Sequence, residues 1–339
     1  MNLCVGVVGA TGAVGAELLR VLDRRGFPAG EVRAFASAGP PGRAVTWRER
    51  ALPVEPLTRE RLRGCQVVFF SAGAAVAREW APRALEAGAL VVDNSSAFRA
   101  EPTVPLVVPE VDPAPAAGGS LLFANPNCTT ILLALVLAPL QRAAGLRRVQ
   151  VATYQAASGA GGRALDELEA HTRVALGGGE PVAGCLPRPL AFNLFPQVGD
   201  FSPAGDSAEE EKVARELRRL LGAPELCVSS TCVRVPVRRA HSAAVWVELA
   251  RPLAPEAARE LLAGAPGVRV EDDPARGRYP TPREAEGRDE VLVGRLRADP
   301  GVPEGRGLAL FLCGDQLLKG AALNAVQVAE LALAARRGA

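Results

Sequence analysis

The chain has 339 residues, a length that suggests two domains rather than a single hydrophobic core. Hydrophobic residues make up 48% and charged residues 22%, which is typical of a folded, soluble protein. The formal net charge is only +2, so composition gives no electrostatic argument for binding nucleic acid or an anionic membrane. The apolar run at residues 130–140 is too short to cross a bilayer, and no basic segment of a secretory signal precedes residues 1–9. We therefore expect a cytoplasmic protein.

The cysteines do not have the spacing of a disulfide framework or a zinc site, because none forms a CxxC pair. We expect most of them to be small core residues, and we expect no metal site. Their positions are Cys4, Cys65, Cys128, Cys185, Cys227, Cys232 and Cys313. One of them, Cys128, needs a separate explanation.

Strand and helix patterns alternate in the first part of the chain. A buried strand is predicted over residues 3–8 and a helix over residues 14–25, whose leucines share one face. Further strands are predicted over residues 32–35, 67–70 and 90–93, and a helix over 80–87 that ends at Gly88. Because this alternation produces a parallel sheet with helices on both faces, residues 1–127 predict a Rossmann-type, doubly wound α/β domain.

The middle of the chain has a different pattern, in which strand-like runs are segregated from helices. Strands are predicted over residues 149–154, 227–236 and 243–250, and an amphipathic helix over residues 209–221. This pattern predicts an α+β second domain over residues 128–316. Residues 272–306 are rich in Pro, Gly, Arg and Asp and are expected to form a loop. A long helix over residues 317–337 is expected to pack back on the first domain and complete it.

A glycine-rich turn follows the first predicted strand and opens the first predicted helix. Gly9, Gly12 and Gly15 have the spacing G-x-x-G-x-x-G. In this context the first glycine permits a tight turn, the second lets the backbone approach a pyrophosphate, and the third lets helix and strand pack closely. The helix N-terminus adds N–H groups and a partial positive charge. A tight turn without a ligand is the alternative, but the context favours dinucleotide binding.

The second predicted strand bears on the choice of cofactor. An acidic residue at its end would bind the ribose 2′-hydroxyl of NAD, but residues 32–37 contain no Asp or Glu. Ser37 and the nearby Arg43 could instead receive a 2′-phosphate. The sequence therefore favours NADP.

Cys128 lies between the predicted sheet domain and an apolar helix, at or near the helix N-terminus. The helix dipole stabilises a thiolate at such a position. The preceding Asn127 and the N–H groups nearby could hold an oxyanion. A small buried residue near the helix start is the alternative, and the placement favours a nucleophile.

A cysteine nucleophile needs a proton acceptor, and the chain has only two histidines. His171 lies in a polar, helix-like stretch and is expected to be exposed. His241 lies between two predicted strands and is the better acid–base candidate, although it could also be an ordinary turn residue.

Several stretches together resemble the aspartate-β-semialdehyde dehydrogenase family over nearly the whole chain. No single stretch is specific, but the set is. The stretches are GATGAVG (9–15), NSSAFR (94–99), NPNCTT (125–130), QAASGAG (155–161), AFNLFPQ (191–197), EEEK (209–212), RVP with HS (234–242) and KGAALNAVQ (319–327).

The resemblance assigns the candidate site residues. Cys128 would be the nucleophile, His241 the general acid–base, and Gln155 the residue that orients the reacting centre. Arg234, with its planar fork, would bind the substrate α-carboxylate, and Glu209 would bind the ammonium group. Phosphate would be held by Arg99, Asn127 and Lys212. Cofactor contacts are expected at Gly9, Ala10, Thr11, Gly12, Ala13, Val14, Ser37, Arg43, Ser71, Ala72, Gly73, Ser158, Gly159, Asn324 and Gln327. Without the resemblance, Glu209 and Lys212 would be interpreted as a solvated helix face.

The resemblance also implies the reaction. The family reduces L-aspartyl-4-phosphate to L-aspartate 4-semialdehyde with NADPH through a cysteine thioester, in lysine, threonine and methionine biosynthesis. It implies a mixed sheet in the second domain and a homodimer or homotetramer. Small-molecule substrates are the expected partners, with no nucleic acid and no membrane.

Two departures from the family pattern are visible. The loop after the second strand, residues 37–43, lacks the family's usual arginine for the 2′-phosphate, so NAD could also be accepted. Before the acidic helix, Gly205-Asp206-Ser207 replaces the family's Gly-Tyr-Thr, which should change only the helix cap.

Three other functions compete with this one. N-acetyl-glutamyl-phosphate reductase also joins a glycine-rich turn to a catalytic Cys and His, but its cysteine typically follows Pro-Gly. A non-catalytic paralogue that serves as a binding protein would tend to lose Cys128 or His241. A plain NAD(P)-binding regulatory module would not need the second domain.

Overall fold

The computed structural model describes residues 2–36 and 43–338. It divides into two compact units, one formed by Met1–Asn127 with Ala321–Ala339 and the other by Cys128–Gly320. Among the described residues, no helix combines the length and the apolar character that crossing a membrane requires.

The first unit begins as an alternation of strands and helices. Its elements up to residue 127 are β1 (Leu3–Val8), α1 (Ala13–Arg24), β2 (Ala29–Ala36), β3 (Ala44–Trp47), β4 (Arg50–Pro56), α2 (Arg59–Leu62), β5 (Val67–Phe70), α3 (Ala74–Glu86), β6 (Leu90–Asp93), α4 (Ala114–Ala117) and β7 (Leu122–Ala124). Helix α3 begins before the predicted residue 80, because its first turns are rich in alanine, which favours a helix but gives no apolar periodicity.

The seven strands form one sheet in the order β3-β4-β2-β1-β5-β6-β7. The hairpin β3–β4 is antiparallel, and the other neighbouring pairs are parallel. Strands β1, β5 and β6 are buried along their whole length, as expected for a parallel sheet covered on both faces. The strand order reverses between β1 and β5, and ligands of such sheets bind at the carboxyl ends of the strands beside this reversal. The doubly wound prediction is confirmed.

The second unit is built on a mixed sheet. Its elements are α5 (Cys128–Ala144), β8 (Leu146–Gln155), α6 (Gly162–Leu176), α7 (Ala208–Leu220), β9 (Cys227–Arg234), β10 (His241–Leu249), α8 (Pro255–Ala263), β11 (Val268–Val270), α9 (Pro282–Ala285), β12 (Val291–Ala298) and β13 (Gly307–Gly314), with 3₁₀ turns at Ala157–Ala160 and Pro274–Arg276. The strand order is β11-β12-β13-β10-β8-β9. The pairs β11–β12 and β8–β9 are parallel, whereas β10 pairs with both of its neighbours antiparallel.

Helix α5 explains how one face of this sheet is covered. It is apolar nearly all round and buried from Thr129 to Leu140, because it lies between the sheet and the helices α7 and α8. Along β10, buried and half-buried residues alternate, so the opposite face of the sheet is only partly covered.

The prediction of a loop over residues 272–306 is wrong. This segment contains a 3₁₀ turn, α9 and the strand β12, which lies inside the sheet between β11 and β13. The first four residues of β12 are buried, whereas Arg295, Arg297 and Ala298 face solvent. The apolar residues of this strand are therefore few and are followed by arginines, so the composition of the segment is that of a loop. Membership of a sheet depends on long-range pairing that local composition does not report.

The C-terminal segment consists of a π-helical turn, Leu318–Ala322, followed by the helix α10 (Leu323–Gly338). Within the first unit, α10 contacts α1, α4 and β6. Arg25 donates two hydrogen bonds to Glu330 of α10, at 2.9 and 2.6 Å.

Candidate active site

The glycine-rich turn joins β1 to α1 and requires glycine at two positions. Gly9 has a φ of +88°, and a Cβ atom there would lie 2.7 Å from the carbonyl oxygen of Ser71. A Cβ atom at Gly15 would lie 2.2 Å from the carbonyl oxygen of Gly9. These contacts allow the turn, the first turn of α1 and the segment after β5 to pack backbone against backbone.

Gly12 has a different environment. It caps α1 without a side-chain hydrogen bond, it is exposed together with Thr11, and a Cβ atom there would lie 3.4 Å from the nearest atom, the Gly9 oxygen. Glycine at this position leaves the outward face of the turn open. The first N–H groups of a helix have no intrahelical acceptor, so this surface fits a pyrophosphate.

The segment Ser71-Ala72-Gly73 lies beside the turn, as its predicted cofactor role requires. The Ser71 N–H donates to the Val8 oxygen at 2.8 Å, and Gly73, with a φ of +91°, precedes α3. Of the two residues predicted to bind a 2′-phosphate, Ser37 lies outside the described residues. Arg43 is exposed immediately before β3.

Asn324 and Gln327 of α10 make hydrogen bonds within the first unit. Asn324 donates to the Val107 oxygen at 2.8 Å and to Asn125 Oδ1 at 2.7 Å. Gln327 donates to Glu110 Oε1 at 2.9 Å. Both side chains therefore anchor α10.

Arg99 and Asn127 also belong to the first unit and are buried. Arg99 donates to the carbonyl oxygens of Asn125, at 2.8 Å, and Asn94, at 2.7 Å. The guanidinium thus ties together the loops that follow β6 and β7.

Cys128 is the first residue of α5 and is partly exposed. A Cβ atom at Gly320 would lie 3.1 Å from the Cβ of Cys128, so the chain approaches the cysteine closely there. Cys232, on β9, differs from Cys128 because burial raises the pKa of its thiol to about 12. Of these two thiols, Cys128 is therefore the one suited to be a nucleophile.

Gln155, at the end of β8, is buried and connects two elements. Its Nε2 donates to Glu209 Oε1 at 3.1 Å, and its Oε1 accepts from Thr153 Oγ1 at 3.1 Å. Glu209 lies in the first turn of α7, where Lys212 Nζ approaches its Oε2 to 3.7 Å. The predicted pairing of Glu209 and Lys212 on one helix face is therefore present.

Glu210, next to Glu209, holds the start of α7 in place. Its carboxylate accepts from the N–H of Ser207 at 2.6 Å and from the N–H of Cys232 on β9 at 2.8 Å. This connection fixes Glu209 with respect to β9 and its last residue, Arg234.

Arg234 is buried, and its Nη1 donates to the Ala156 oxygen at 2.6 Å. Burial lowers the pKa of Arg234, while the negative charges of Glu209 and Cys128 act in the opposite direction. Arg234 remains charged because its ordinary value is so high. It lines a cavity of about 440 Å³ together with Cys185, Phe195, Gln197 and Asp200.

His241 is the first residue of β10 and is buried. Its Nδ1 accepts a hydrogen bond from the Ala156 N–H at 3.1 Å. Burial, followed by the charge of Arg234, lowers the pKa of His241 well below its ordinary value of 6.5. The ring is therefore neutral at pH 7, and because Nδ1 accepts, its hydrogen lies on Nε2.

Gly159 allows His241 and Arg234 to lie together. A Cβ atom there would lie 2.7 Å from His241 Cε1 and 3.2 Å from Arg234 Nη1. The neighbouring Ser158 is buried, and its hydroxyl donates to the Arg238 oxygen at 2.5 Å.

His171 lies on α6, and the prediction that it is exposed is wrong. Its side chain is only 12% exposed, and its Nδ1 lies 3.9 Å from Glu167 Oε1. The loop at residues 184–185 covers this helix face, because Glu167 accepts from both backbone N–H groups. A loop folding back in this way leaves no periodic signal in the sequence.

Sequence reasoning missed several residues that hold the site together: Thr153, Glu210, Gly320 and Gln316. Thr153 and Glu210 could have been noticed as polar residues on the buried faces of β8 and α7. Gln316 follows β13 and gives no such signal.

Models of known families and known proteins match nearly the whole chain. A family model described as the NAD binding domain of semialdehyde dehydrogenases matches residues 4–118, and one described as their dimerisation domain matches residues 137–319. The aspartate-semialdehyde dehydrogenase of Synechocystis sp. is 46% identical over 327 residues, covering 96% of each chain.

Solved structures give the same result. Aspartate semialdehyde dehydrogenase II from Vibrio cholerae, complexed with ASA, has a TM-score of 0.94 at 37% identity and covers 98% of this chain and 99% of its own. The Candida albicans enzyme, solved with NADP, has a TM-score of 0.75 at 25% identity, with coverage of 99% of both chains. The fold and the sequence similarity over nearly the whole chain agree: the chain belongs to the aspartate-semialdehyde dehydrogenases of the semialdehyde dehydrogenase family.

Proposed function

We propose that the chain reduces L-aspartyl-4-phosphate to L-aspartate 4-semialdehyde with NADPH, through a thioester on Cys128. In the reverse direction it would oxidise the semialdehyde in the presence of phosphate. The observation that carries the proposal is the cluster in the second unit, where Gln155, Glu209, Arg234 and His241 are held around residues 155–159. Cys128 lies in the same unit, at the start of α5.

Arg234 and Glu209 carry opposite charges, and both are held by neighbouring residues: the Gln155 side chain donates to Glu209, and Arg234 donates to the Ala156 oxygen. An amino-acid head group has a carboxylate and an ammonium group that match this pair. The Arg234 guanidinium would bind the carboxylate through two parallel hydrogen bonds, and Glu209 would accept from the ammonium. N-acetylation would remove the ammonium charge that Glu209 would bind, which argues against the acetylglutamyl substrate.

Cys128 would attack the acyl carbon, forming the C–S bond while the bond to phosphate breaks. The N-terminus of α5 would stabilise the thiolate before the attack. Lys212, 28% exposed beside Glu209, offers a positive charge for the phosphate. We also assign Arg99 and Asn127 to binding of the phosphate, on the basis of their sequence motifs alone.

NADPH, when bound, supplies the hydride that reduces the thioester carbon. His241 would donate a hydrogen bond from Nε2 to the substrate oxygen as negative charge develops on it. In this role the neutral His241 ring stabilises the negative charge on the substrate oxygen. To act as a general acid–base, His241 would in addition have to transfer its Nε2 hydrogen to that oxygen and take one up again. Collapse of the adduct breaks the C–S bond, releases the aldehyde and restores the Cys128 thiolate.

We favour NADP over NAD as the cofactor. The residues at the carboxyl end of β2, from Val32 to Ala36, include no carboxylate to bind a ribose 2′-hydroxyl. The exposed Arg43 offers a positive charge for a 2′-phosphate. Asn324 and Gln327 would support the cofactor by anchoring α10.

The chain matches a dimerisation domain over residues 137–319, and we propose that it forms a homodimer or homotetramer. The half-covered face of the second sheet supports this proposal, since Tyr154 is 37% exposed there and packs on Phe311 with ring centroids 6.1 Å apart. Light scattering on the purified protein would give the mass. The exposed thiols of Cys185 and Cys227 fit a reducing compartment such as the cytoplasm.

The function is tested by following the reduction of NADP and NAD in parallel, with L-aspartate 4-semialdehyde and phosphate. We expect phosphate-dependent turnover and a preference for NADP. Equal rates with both cofactors would contradict the proposed role of Arg43. A folded protein that is inactive on this substrate but active on N-acetyl-glutamate semialdehyde would overturn the substrate assignment, and inactivity on both would favour a binding protein.

A further inference from the structure

The residue before His241 has an unusual backbone conformation. Ala240 has a φ of +70°, in the left-handed region that residues other than glycine rarely adopt. Such a conformation is strained and persists only where surrounding contacts impose it. Because Ala240 directly precedes His241, the first residue of β10, its backbone conformation helps to set the direction in which the His241 side chain leaves the backbone.

Gln316 is the contact that holds Ala240. Its side chain is buried, and its Oε1 accepts a hydrogen bond from the Ala240 N–H at 2.8 Å. Its Nε2 donates to the Ser158 hydroxyl at 2.7 Å. Both ends of this amide are therefore used, and they bind two different segments of the second unit.

These two segments are also bonded to each other. The Ser158 hydroxyl and N–H both donate to the Arg238 oxygen, at 2.5 and 3.2 Å, and the Ala157 N–H donates to the Val237 oxygen at 2.8 Å. Gln316 bridges the two segments at the position of Ala240. One residue before Ala157, the Ala156 N–H holds His241 Nδ1.

The backbone of Gln316 is itself anchored by its neighbour. The buried Asp315 accepts hydrogen bonds from the N–H groups of Leu317, at 3.0 Å, and Leu318, at 3.1 Å, and from Gly287 at 2.8 Å. Asp315 also forms an ion pair with Arg239 at 2.7 Å. Gln316 therefore projects from a fixed support.

We propose that Gln316 is a positioning residue that orients the His241 ring by holding Ala240 and Ser158 together. The proposal rests on the proposed function for its effect on turnover, although the position of the ring can be measured without any substrate. Gln316 does not touch the reacting atoms in this account. Its loss should release Ala240 from its strained conformation and weaken the bond between Ala156 and His241.

The first test is NMR of protein labelled with [¹⁵N]histidine, which needs no activity. The chain has two histidines, so His171 serves as an internal control. We expect wild-type His241 to show a hydrogen on Nε2 and none on Nδ1. In Gln316→Ala, the His241 signals should move towards those of a mixture of the two tautomers, while those of His171 stay unchanged. Unchanged His241 signals would overturn the proposal.

The second test is kinetic. We expect Gln316→Ala to lower kcat about 10- to 100-fold, because small displacements of a catalytic group have effects of this size. KM for the semialdehyde should stay within about threefold, since Arg234 and Glu209 are not displaced. Gln141→Ala is the matched control, because Gln141 accepts from the Leu146 N–H at 2.6 Å with no connection to His241. It should lower stability without lowering kcat.

Two further variants separate positioning from loss of folding. Gln316→Glu keeps an acceptor for the Ala240 N–H and should retain more activity than Gln316→Ala. Ala240→Gly, placed in the Gln316→Ala protein, should restore part of kcat, because glycine adopts a positive φ without strain. A failure of both rescues in folded proteins would overturn the proposal. An inactive wild type with the expected His241 signals and the expected response to Gln316→Ala would contradict the proposed function alone.

Discussion

The glycine-rich turn of the first unit and the polar cluster of the second unit place their functional groups in opposite ways. The turn depends on missing side chains within residues 9–15, since a Cβ atom at Gly15 would lie 2.2 Å from the Gly9 oxygen. The cluster depends on side chains that are far apart in sequence and that are connected by hydrogen bonds. Gln155 bonds to Glu209, and Gln316 bonds to Ser158.

Because of this difference, substitutions should damage the turn and the cluster in different ways. A turn made by steric exclusion fails when an atom is added, and the damage appears first in folding and cofactor binding. A buried polar cluster fails when an atom is removed, because the remaining partner is left without its hydrogen bond. The damage then appears first in the chemistry. The following predictions test this comparison, beginning with the largest expected effect.

Replacing Cys128, the proposed nucleophile, should have the largest effect. Cys128→Ala should lower kcat by roughly 10⁴-fold or more, because no other group can form the thioester. The midpoint of thermal unfolding should change little, since Cys128 is partly exposed at a helix start. Steady-state kinetics and calorimetry measure both quantities. Cys227→Ala, at another exposed thiol, is the control and should keep full activity. Substantial turnover by Cys128→Ala would remove the residue from its proposed role.

Arg234→Lys should have the next largest effect on activity. We expect kcat/KM to fall about 10²-fold or more, because a lysine ammonium cannot replace a guanidinium that binds carboxylate through two hydrogen bonds. It would also lose the bond to the Ala156 oxygen. Arg238→Lys is the control, because the Arg238 side chain is 70% exposed. If the two variants have similar kcat/KM values, Arg234 does not bind the carboxylate.

The two glycines of the turn should separate folding from cofactor binding. Gly15→Ala should lower the free energy of unfolding by about 2 kcal/mol or more, since its Cβ would overlap the Gly9 oxygen. Gly12→Ala has room for its Cβ and should leave stability nearly unchanged, but it should raise KM for NADP by obstructing the pyrophosphate. Denaturant unfolding and cofactor titration measure the two effects. Equal loss of stability in both variants would contradict the different roles assigned to these glycines.

The smallest effect concerns pH. Because burial lowers the pKa of His241 in the folded protein below its ordinary value of 6.5, the unfolded chain binds more protons at that residue as the pH falls below 6.5. Its contribution to stability is therefore fully present above pH 6.5 and declines below it, by at most about 1.4 kcal/mol per pH unit. His241→Gln should flatten the dependence of unfolding free energy on pH in that range, and His171→Gln serves as the comparison. Equal slopes in wild type and His241→Gln would contradict a neutral, buried His241.

Much of the fold could be predicted from local patterns. β1, β5 and β6 were predicted with the bounds that the structure shows, because buried parallel strands are short, continuous apolar runs between turn residues. β12 was not, because its apolar residues are interrupted by Gly294 and by the exposed Arg295 and Arg297. Its place in the sheet comes from pairing with β13, the next strand along the chain, and with the shorter β11, which the run of arginines does not reveal.

The candidate site shows the same division. Cys128 at the start of α5 and the pairing of Glu209 with Lys212 could be predicted, because a helix start and an i, i+3 spacing are local features. The bond from Ala156 to His241 and the role of Gln316 could not be predicted. They depend on which nitrogen of a ring faces which backbone group after β8, β10 and the segment after β13 have come together.

The sequence by itself determined the fold class and the glycine-rich turn, and it supplied the residues that are proposed to carry the chemistry. The first two follow from hydrophobic periodicity and the steric demands of glycine, and the proposed site residues follow from the resemblance of their motifs to a known family. The tertiary structure alone decided that His241 is neutral with its hydrogen on Nε2, that Arg234 is buried beside it, and that Gln316 holds both segments around the ring. These features depend on burial and on hydrogen-bond direction between distant segments, which are fixed only when the strands pack.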